Sequence, residues 1–482
     1  MLTRRNALRS VAAGSIGLAT ARLSAVIRQP SELLIRRGRV VNADGARDAD
    51  VRIVGETIAE VGANLRPPAN ARIIDAAGKL VLPGGIDPHT HLHPSFVDDM
   101  TSGSMAALAG GITTVGTFAN ATAKETLVEA IERMAARVRS EAIADVILHA
   151  SAWPPSAEIA SAMKAIAAFG QPSFKIFLTR QDVGARMADL IVHLEHARDA
   201  GVVTMVHCED GALLAAAVRR LERDGRTSLR DYGDSRPVAA EVAATQLAAS
   251  LCESTGAPIY IVHLSSARAL AVCRAARAAA KLPLFIETRP LYLHLTSDKM
   301  RGADAPLFVG QPPLREESDR AALWAGMKDG TVDVLATDHA PWTREQKLDP
   351  ALTITRLRPG VSDLQTMLPM FFSEGVQARQ LPLTRFVEQS STNAAKIFGL
   401  YPRKGVIQAG SDADIAIWDP QRSDTVRAAV DHSKADYSVY EGWQVKGWPV
   451  MTVRRGEVVY DAGKISGSAG SGQLIQRQRW QR

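Results

Sequence analysis

Between residues 83 and 400 the chain alternates eight times between a short apolar run and a longer alanine-rich stretch. The runs fall at 83–91, 111–119, 145–153, 173–179, 202–210, 257–265, 283–290 and 332–340, with segments such as 124–140 and 238–254 between them. A short apolar run reads as a strand buried on both faces, and alanine-rich text favours helix. Parallel strands cannot be joined by a hairpin; each needs a crossover of a dozen or more residues, usually a helix. Eight strand–helix units in series therefore predict an α/β fold, a (β/α)8 TIM-type barrel. Reactive side chains in that fold stand at the C-terminal ends of the strands.

The two ends of the chain read as β structure and echo each other. Leu33-Leu34-Ile35, Val40-Val41, Val51-Arg52-Ile53-Val54 and Ile58-Ala59-Glu60-Val61 are short strands, broken by Gly38, Asn42-Ala43-Asp44-Gly45 and Gly55. Arg36-Arg37-Gly38-Arg39-Val40-Val41 recurs in form as Arg454-Arg455-Gly456-Glu457-Val458-Val459, and Asp414-Ile415-Ala416-Ile417-Trp418 adds a strand. One small β-sandwich built from both ends is expected beneath the barrel. The expected division is a leader over 1–30, sandwich parts over 31–82 and 403–465, the barrel over 83–402, and a C-terminal tail over 466–482.

A chain of 482 residues suits a large barrel plus a smaller module. Its net charge of +6 is uneven: residues 1–47 carry nine arginines against Glu32 and Asp44, a net +7, which leaves −1 for the remainder. The basic character belongs to the N-terminus, so the body carries no electrostatic footprint for nucleic acid. Cys208, Cys252 and Cys273 are odd in number without paired spacing, so no disulfide framework is implied. No apolar run is long enough to span a bilayer. Thr3-Arg4-Arg5-Asn6-Ala7-Leu8, followed by a weakly apolar run ending Ala19-Thr20-Ala21, resembles a twin-arginine export signal cleaved after about Ala21. A periplasmic protein is expected, with a cytoplasmic one bearing a basic tail as the alternative. Ala7 stands where such signals usually carry a large apolar residue.

The first run ends Asp87-Pro88-His89-Thr90-His91. Residues two apart on a strand face the same side, so His89 and His91 converge on one point, a start on a metal site. The fourth run, Ser173-Phe174-Lys175-Ile176-Phe177-Leu178-Thr179, holds a lysine in apolar surroundings. Burial lowers a lysine's pKa and makes it nucleophilic, and such an amine can take up carbon dioxide as a carbamate able to bridge two cations. The fifth run carries His207, the sixth His263 and the eighth Asp338, each close to its end. Asp338 is suited to ligate a metal and to exchange a proton with water. Cys208, beside His207, reads as a small buried residue rather than a ligand.

The order His89, His91, Lys175, His207, His263, Asp338 resembles the amidohydrolase superfamily, in its cyclic amidohydrolase branch of dihydropyrimidinase (hydantoinase), dihydroorotase and allantoinase. The resemblance runs from about residue 32 to 460. It implies a hydrolase of cyclic amide C–N bonds with two divalent metal ions, most simply zinc. His89 and His91 would bind one metal and His207 and His263 the other. N6-carboxylated Lys175 and a hydroxide would bridge them, with Asp338 as ligand of the first metal and proton shuttle. It also implies a small-molecule substrate, no nucleic-acid or membrane partner, and a homo-oligomer, commonly a homotetramer.

Signals for the individual branch are mixed. Gln311-Pro312-Pro313-Leu314-Arg315 and the segment from His432 through Pro449 look like dihydropyrimidinase. Thr337-Asp338-His339-Ala340-Pro341 and Asn120 look more like dihydroorotase or allantoinase. Hydantoinases carry a Tyr where this chain has Arg180, a Ser where it has Gln311 and an Asn near Arg356; dihydroorotases carry an Arg where it has His93. Asn120, Arg180, Arg289, Gln311 and Arg356 are therefore the candidate substrate contacts. Arg180, Arg289 and Arg356 are expected at the barrel mouth, where one would bind an anionic group of the substrate; the alternative is pairing with Glu209, Asp210 or Glu287. Two other readings remain: a dihydroorotase- or allantoinase-like hydrolase of a carboxylate-bearing substrate, and a non-catalytic dihydropyrimidinase-like scaffold, which the filled ligand set disfavours.

Overall fold

The computed structural model describes residues 32–481, and the leader expected over 1–30 lies outside the described residues. Eight parallel strands lie in one sheet in chain order: β1 (Gly85–Asp87), β2 (Ile112–Asn120), β3 (Asp145–Ser151), β4 (Ser173–Phe177), β5 (Val203–His207), β6 (Ile259–Ile261), β7 (Leu284–Thr288) and β8 (Val334–Leu335). Each overlaps one of the eight apolar runs. The ring closes where Thr90 and His339 form a parallel bridge, the His91 amide donating to the His339 carbonyl at 2.8 Å. Thr337 ties the same seam, its hydroxyl donating to Asp87 Oδ2 at 2.6 Å. Barrel closure thus brings the His89–His91 segment beside Asp338.

Local sequence sets the ends of the surrounding helices. Thr126 and Glu129 form a capping box at the start of Leu127–Glu141, satisfying amide donors that the first turn leaves free. The same helix buries Leu127, Ala130, Ile131, Met134, Ala135 and Val138, a three-to-four-residue spacing that turns one face inward. Gly256 ends Val238–Thr255 at φ +69°, a left-handed residue that suits glycine.

Both chain ends pair into one nine-stranded sheet, in which Leu80–Pro83 lies between Glu32–Asn42 and Ile415–Thr425. Its core joins Leu33, Ile35, Val51 and Ile53 from one end to Ile415, Ile417 and Val453 from the other. In each of the echoed Arg-Arg-Gly segments the second arginine is left-handed, Arg37 at φ +60° and Arg455 at φ +44°. A buried charge cluster fastens this sheet to the barrel floor. Lys404 Nζ lies 2.7 Å from Asp145 Oδ2 at the start of β3, 2.5 Å from Asp414 Oδ2 and 3.2 Å from Asp412 Oδ2.

The tail does not hang free. Leu474 bridges Val146 on β3, and Ile475 is buried among Ile86, Ile147, Val203 and Phe398 inside the barrel floor. No helix among the described residues is long and apolar enough to cross a membrane.

Candidate metal centre

All six side chains singled out as metal ligands meet in one cavity of about 170 Å³ at the C-terminal ends of the barrel strands. His89, His91, Lys175, His207, His263 and Asp338 line it together with Phe96, Phe177, Gln311, Ala340, Pro359 and Gly360. They come from the ends of β1, β4, β5, β6 and β8, which sequence separation alone would scatter over 250 residues. His91 Nε2 stands 2.8 Å and His89 Nε2 3.2 Å from Asp338 Oδ1. Lys175 Nζ is 3.5 Å from His89 Nε2. The His207 and His263 rings meet edge to face with centroids 4.5 Å apart.

Carboxylates behind the cavity hold these rings. Glu287 Oε1 lies 2.8 Å from His89 Nδ1 and also accepts the His263 amide at 2.8 Å. Glu209 Oε2 lies 2.7 Å from His207 Nε2, and Arg236 Nε donates to Glu209 Oε1 at 3.0 Å. A partner on the far ring nitrogen fixes each tautomer and its orientation. His263 and Asp338 themselves have left-handed backbones, at φ +40° and +50°. Strained residues of this kind persist where the surroundings over-determine them, commonly at functional sites.

Burial sets the protonation states. It holds His89 and His263 well below the ordinary histidine range and lowers His207, so these rings are neutral, the form with a lone pair to donate. Burial also brings Lys175 down to about 8, and it packs over the Phe118 and Phe177 rings. For Asp338 burial acts upward but is outweighed by Arg289, His89 and His91, which hold the carboxylate well below its usual range. One donor atom each from His89, His91 and Asp338 lies within 4.8 Å of the others, and His263 Nδ1 is buried without a hydrogen-bond partner. Neutral imidazoles, an ionised carboxylate and an orphaned ring nitrogen fit divalent cations.

The candidate substrate contacts divide. Gln311 lines the cavity. Arg289 is fully buried behind it, its Nη1 donating to Asp338 Oδ2 at 2.9 Å, so its partner is neither an open mouth nor Glu209, Asp210 or Glu287. Asn120, Arg180 and Arg356 are exposed and do not line the cavity. Arg180 stacks over Trp153, 5.9 Å from the ring centroid.

Sequence reasoning passed over the roles of Glu287, Glu209 and Lys347. The signal for Glu287 is the one that exposed Lys175, a charged residue inside an apolar strand. Lys347 carries no comparable signal, since it lies in the short helix Arg344–Lys347. It is fully buried and donates to the carbonyls of Val309, Arg358 and Gly360, each at 2.9 Å, pinning the loop that walls the cavity.

Known proteins resemble this chain over most of its length. Residues 80–459 match the model of the Amidohydrolase family. The chain is 35% identical over 463 residues to a dihydropyrimidinase of Rattus norvegicus, covering 92% of this chain and 89% of that protein. It is also 35% identical over 454 residues to dihydropyrimidinase-related protein 5 of Mus musculus, covering 92% of this chain and 80% of that protein. The crystal structure of dihydropyrimidinase from Brevibacillus agri NCHU1002 superposes with a TM-score of 0.89 at 32% identity, covering 94% of this chain and all of that one. With its barrel, its cavity and a match that spans most of its length, this chain belongs to the amidohydrolase family.

Proposed function

We propose that the protein is a metal-dependent hydrolase that opens a cyclic amide or ureide at a C–N bond, in the manner of a dihydropyrimidinase or hydantoinase. The observation that supports this reading best is the convergence of four imidazoles, Lys175 and Asp338 on one small cavity. In this reading His89, His91 and Asp338 would hold one cation and His207 and His263 the other, and Lys175, once carboxylated, would serve both. Zinc suits imidazole and carboxylate-like oxygen donors. Bound there, the cations supply Lewis acidity, lowering the pKa of water and polarising a carbonyl.

The chain's own residues account for the remaining steps. Asp338 accepts the proton released as water attacks the carbonyl carbon, then passes it to the departing nitrogen, a poor leaving group until protonated. Arg289 holds the Asp338 carboxylate in orientation through Oδ2. Glu287 and Glu209 keep the His89 and His207 rings aimed at the cavity. Phe96 and Phe177 supply apolar wall to the cavity. The test is a hydrolysis screen of hydantoins, dihydropyrimidines, dihydroorotate and allantoin with metal-loaded protein. Ring opening of at least one is expected; no turnover of any by protein holding two metals would refute the proposal and leave the scaffold reading.

A narrower proposal concerns substrate charge. Arg289 is committed to Asp338, whereas Arg180 and Arg356 have no carboxylate partner among the described residues. The anionic group expected of the substrate is accordingly assigned to Arg180 or Arg356. The family likeness also supports a homotetramer, checked by light scattering. Export through the twin-arginine route is proposed from the sequence, checked by cell fractionation.

A further inference from the structure

The C-terminal residues after Gly472 run across the barrel floor as an ordered strap. The Ile475 amide donates to the Val146 carbonyl at 2.9 Å, Arg477 to Gly170 at 3.1 Å, Gln478 to Gly399 at 2.9 Å and Trp480 to Gly201 at 2.9 Å. The strap drives Arg477 inward until only 6% of it is exposed. Its Nη2 donates to the Leu148 carbonyl at 2.7 Å and to Ser173 Oγ at 2.8 Å, while Nε and Nη1 are buried without partners. No carboxylate lies within ion-pair distance of it among the described residues. A guanidinium buried without a counter-charge is costly, so stability alone does not account for its place.

Where its contacts lead is more telling. Ser173 Oγ is 2.6 Å from His149 Nδ1, and His149 Nε2 is 2.8 Å from the Pro88 carbonyl. The two ends of this chain of hydrogen bonds fix its direction. Arginine only donates and a carbonyl only accepts. His149 therefore carries its proton on Nε2 and gives it to Pro88, Ser173 donates to Nδ1, and Arg477 donates to Ser173. Burial holds His149 well below the ordinary histidine range, in agreement with a neutral ring. Gly116 leaves the passage open: a Cβ there would collide with the Pro88 carbonyl oxygen and come within 2.6 Å of His149 Nε2. The relay ends one residue before His89 and passes through the residue two before Lys175, on the same face of β4.

We infer that Arg477 is a positioning residue for the metal centre, fixing the backbone that carries His89 through the Ser173–His149–Pro88 relay and so coupling the C-terminal strap to the ligands at the opposite end of the barrel. The inference rests on the metal-centre reading proposed above. The test is the rate at which zinc-loaded full-length protein releases metal to a chromogenic chelator, measured for the parent, Arg477→Met, Arg477→Lys and Ser173→Ala, with thermal midpoints recorded beside it. Loss of a group that orients a ligand typically weakens metal affinity by about 10–100-fold. Acting at a remove from the ligand itself, Arg477→Met and Ser173→Ala should each speed release by roughly tenfold, the low end of that range, and Arg477→Lys should keep most of the parent rate. Ser173→Ala leaves the strap in place, so it decides the matter should Arg477→Met not fold. Unchanged release from both variants, or release altered only in the variant whose thermal midpoint falls, would overturn the inference. A parent protein that binds no zinc would instead overturn the metal-centre reading itself.

Discussion

Replacing Lys404 by Met removes the cation from the cluster that joins the terminal sheet to the barrel floor. Lys404 is 1% exposed and lies within 3.2 Å of three carboxylates, those of Asp145, Asp412 and Asp414. After the substitution Asp145 keeps Arg455, whose Nε is 3.1 Å from Oδ1. Asp414 keeps only uncharged donors, the Arg455 amide at 2.7 Å and the Thr113 hydroxyl at 3.2 Å. A buried carboxylate is then left without a counter-charge, which costs about 3–5 kcal/mol. Unfolding entropy is roughly 2.1 cal/mol/K per residue, or on the order of 1 kcal/mol/K for a chain of this size, so the thermal midpoint should fall by ~3–5 °C. The cost also depends on pH. Burial already raises the pKa of Asp414 in the folded protein, and losing Lys404 raises it further above the unfolded value. The folded state then binds the proton more tightly, so the penalty is relieved at low pH and grows as pH rises through the folded pKa. Calorimetry at a fixed scan rate across the pH range measures this. Adding Asp414→Asn to Lys404→Met should recover most of the loss, because the stranded charge is gone. A Lys404→Met midpoint within about 1 °C of the parent at alkaline pH would refute the reasoning.

Four further outcomes are expected. Asp338→Asn should leave the circular dichroism spectrum intact and lower turnover by roughly two to four orders of magnitude; a mild loss would transfer the proton to another group, His339 first. Lys175→Ala should abolish hydrolysis and reduce metal content below two per chain after loading with metal and bicarbonate, whereas full activity would sink the bridging role. Arg180→Met should raise KM for an anionic substrate by about two- to fivefold, the scale of an exposed ion pair, and leave a neutral analogue unchanged; equal effects on both would exclude the assignment. Gly360→Ala should destabilise by about 1–3 kcal/mol, since Gly360 sits at φ +114° and a Cβ would collide with the Ala340 carbonyl; an unshifted denaturation midpoint would show that the wall loop is free to move.

The barrel was legible in the chain because its signal is local and repeated. Each of the eight apolar runs is long enough for one buried strand, and each alanine-rich stretch is long enough for one crossover helix. The six candidate ligands were legible for the same reason: His89, His91, Lys175, His207, His263 and Asp338 each punctuate the end or interior of such a run, where a polar residue needs a purpose. Their likeness to a known family then supplied the roles that spacing alone leaves open. What the sequence could not disclose is which side chains face one another across the ring. Arg289 looked like a free cation at the mouth, yet the pairing of β7 with β8 sets it against Asp338. Glu287 and Glu209 became ring-holding carboxylates only because β1 and β7 bring His89 and Glu287 within 2.8 Å across 198 residues of chain, and because Glu209 turns back on His207. The same holds for Lys347 and Arg477, both buried by contacts made far along the chain. Hydrophobic periodicity is written residue by residue, whereas the partner of a buried charge is chosen by whatever the fold packs against it, and that is settled only when the ring closes.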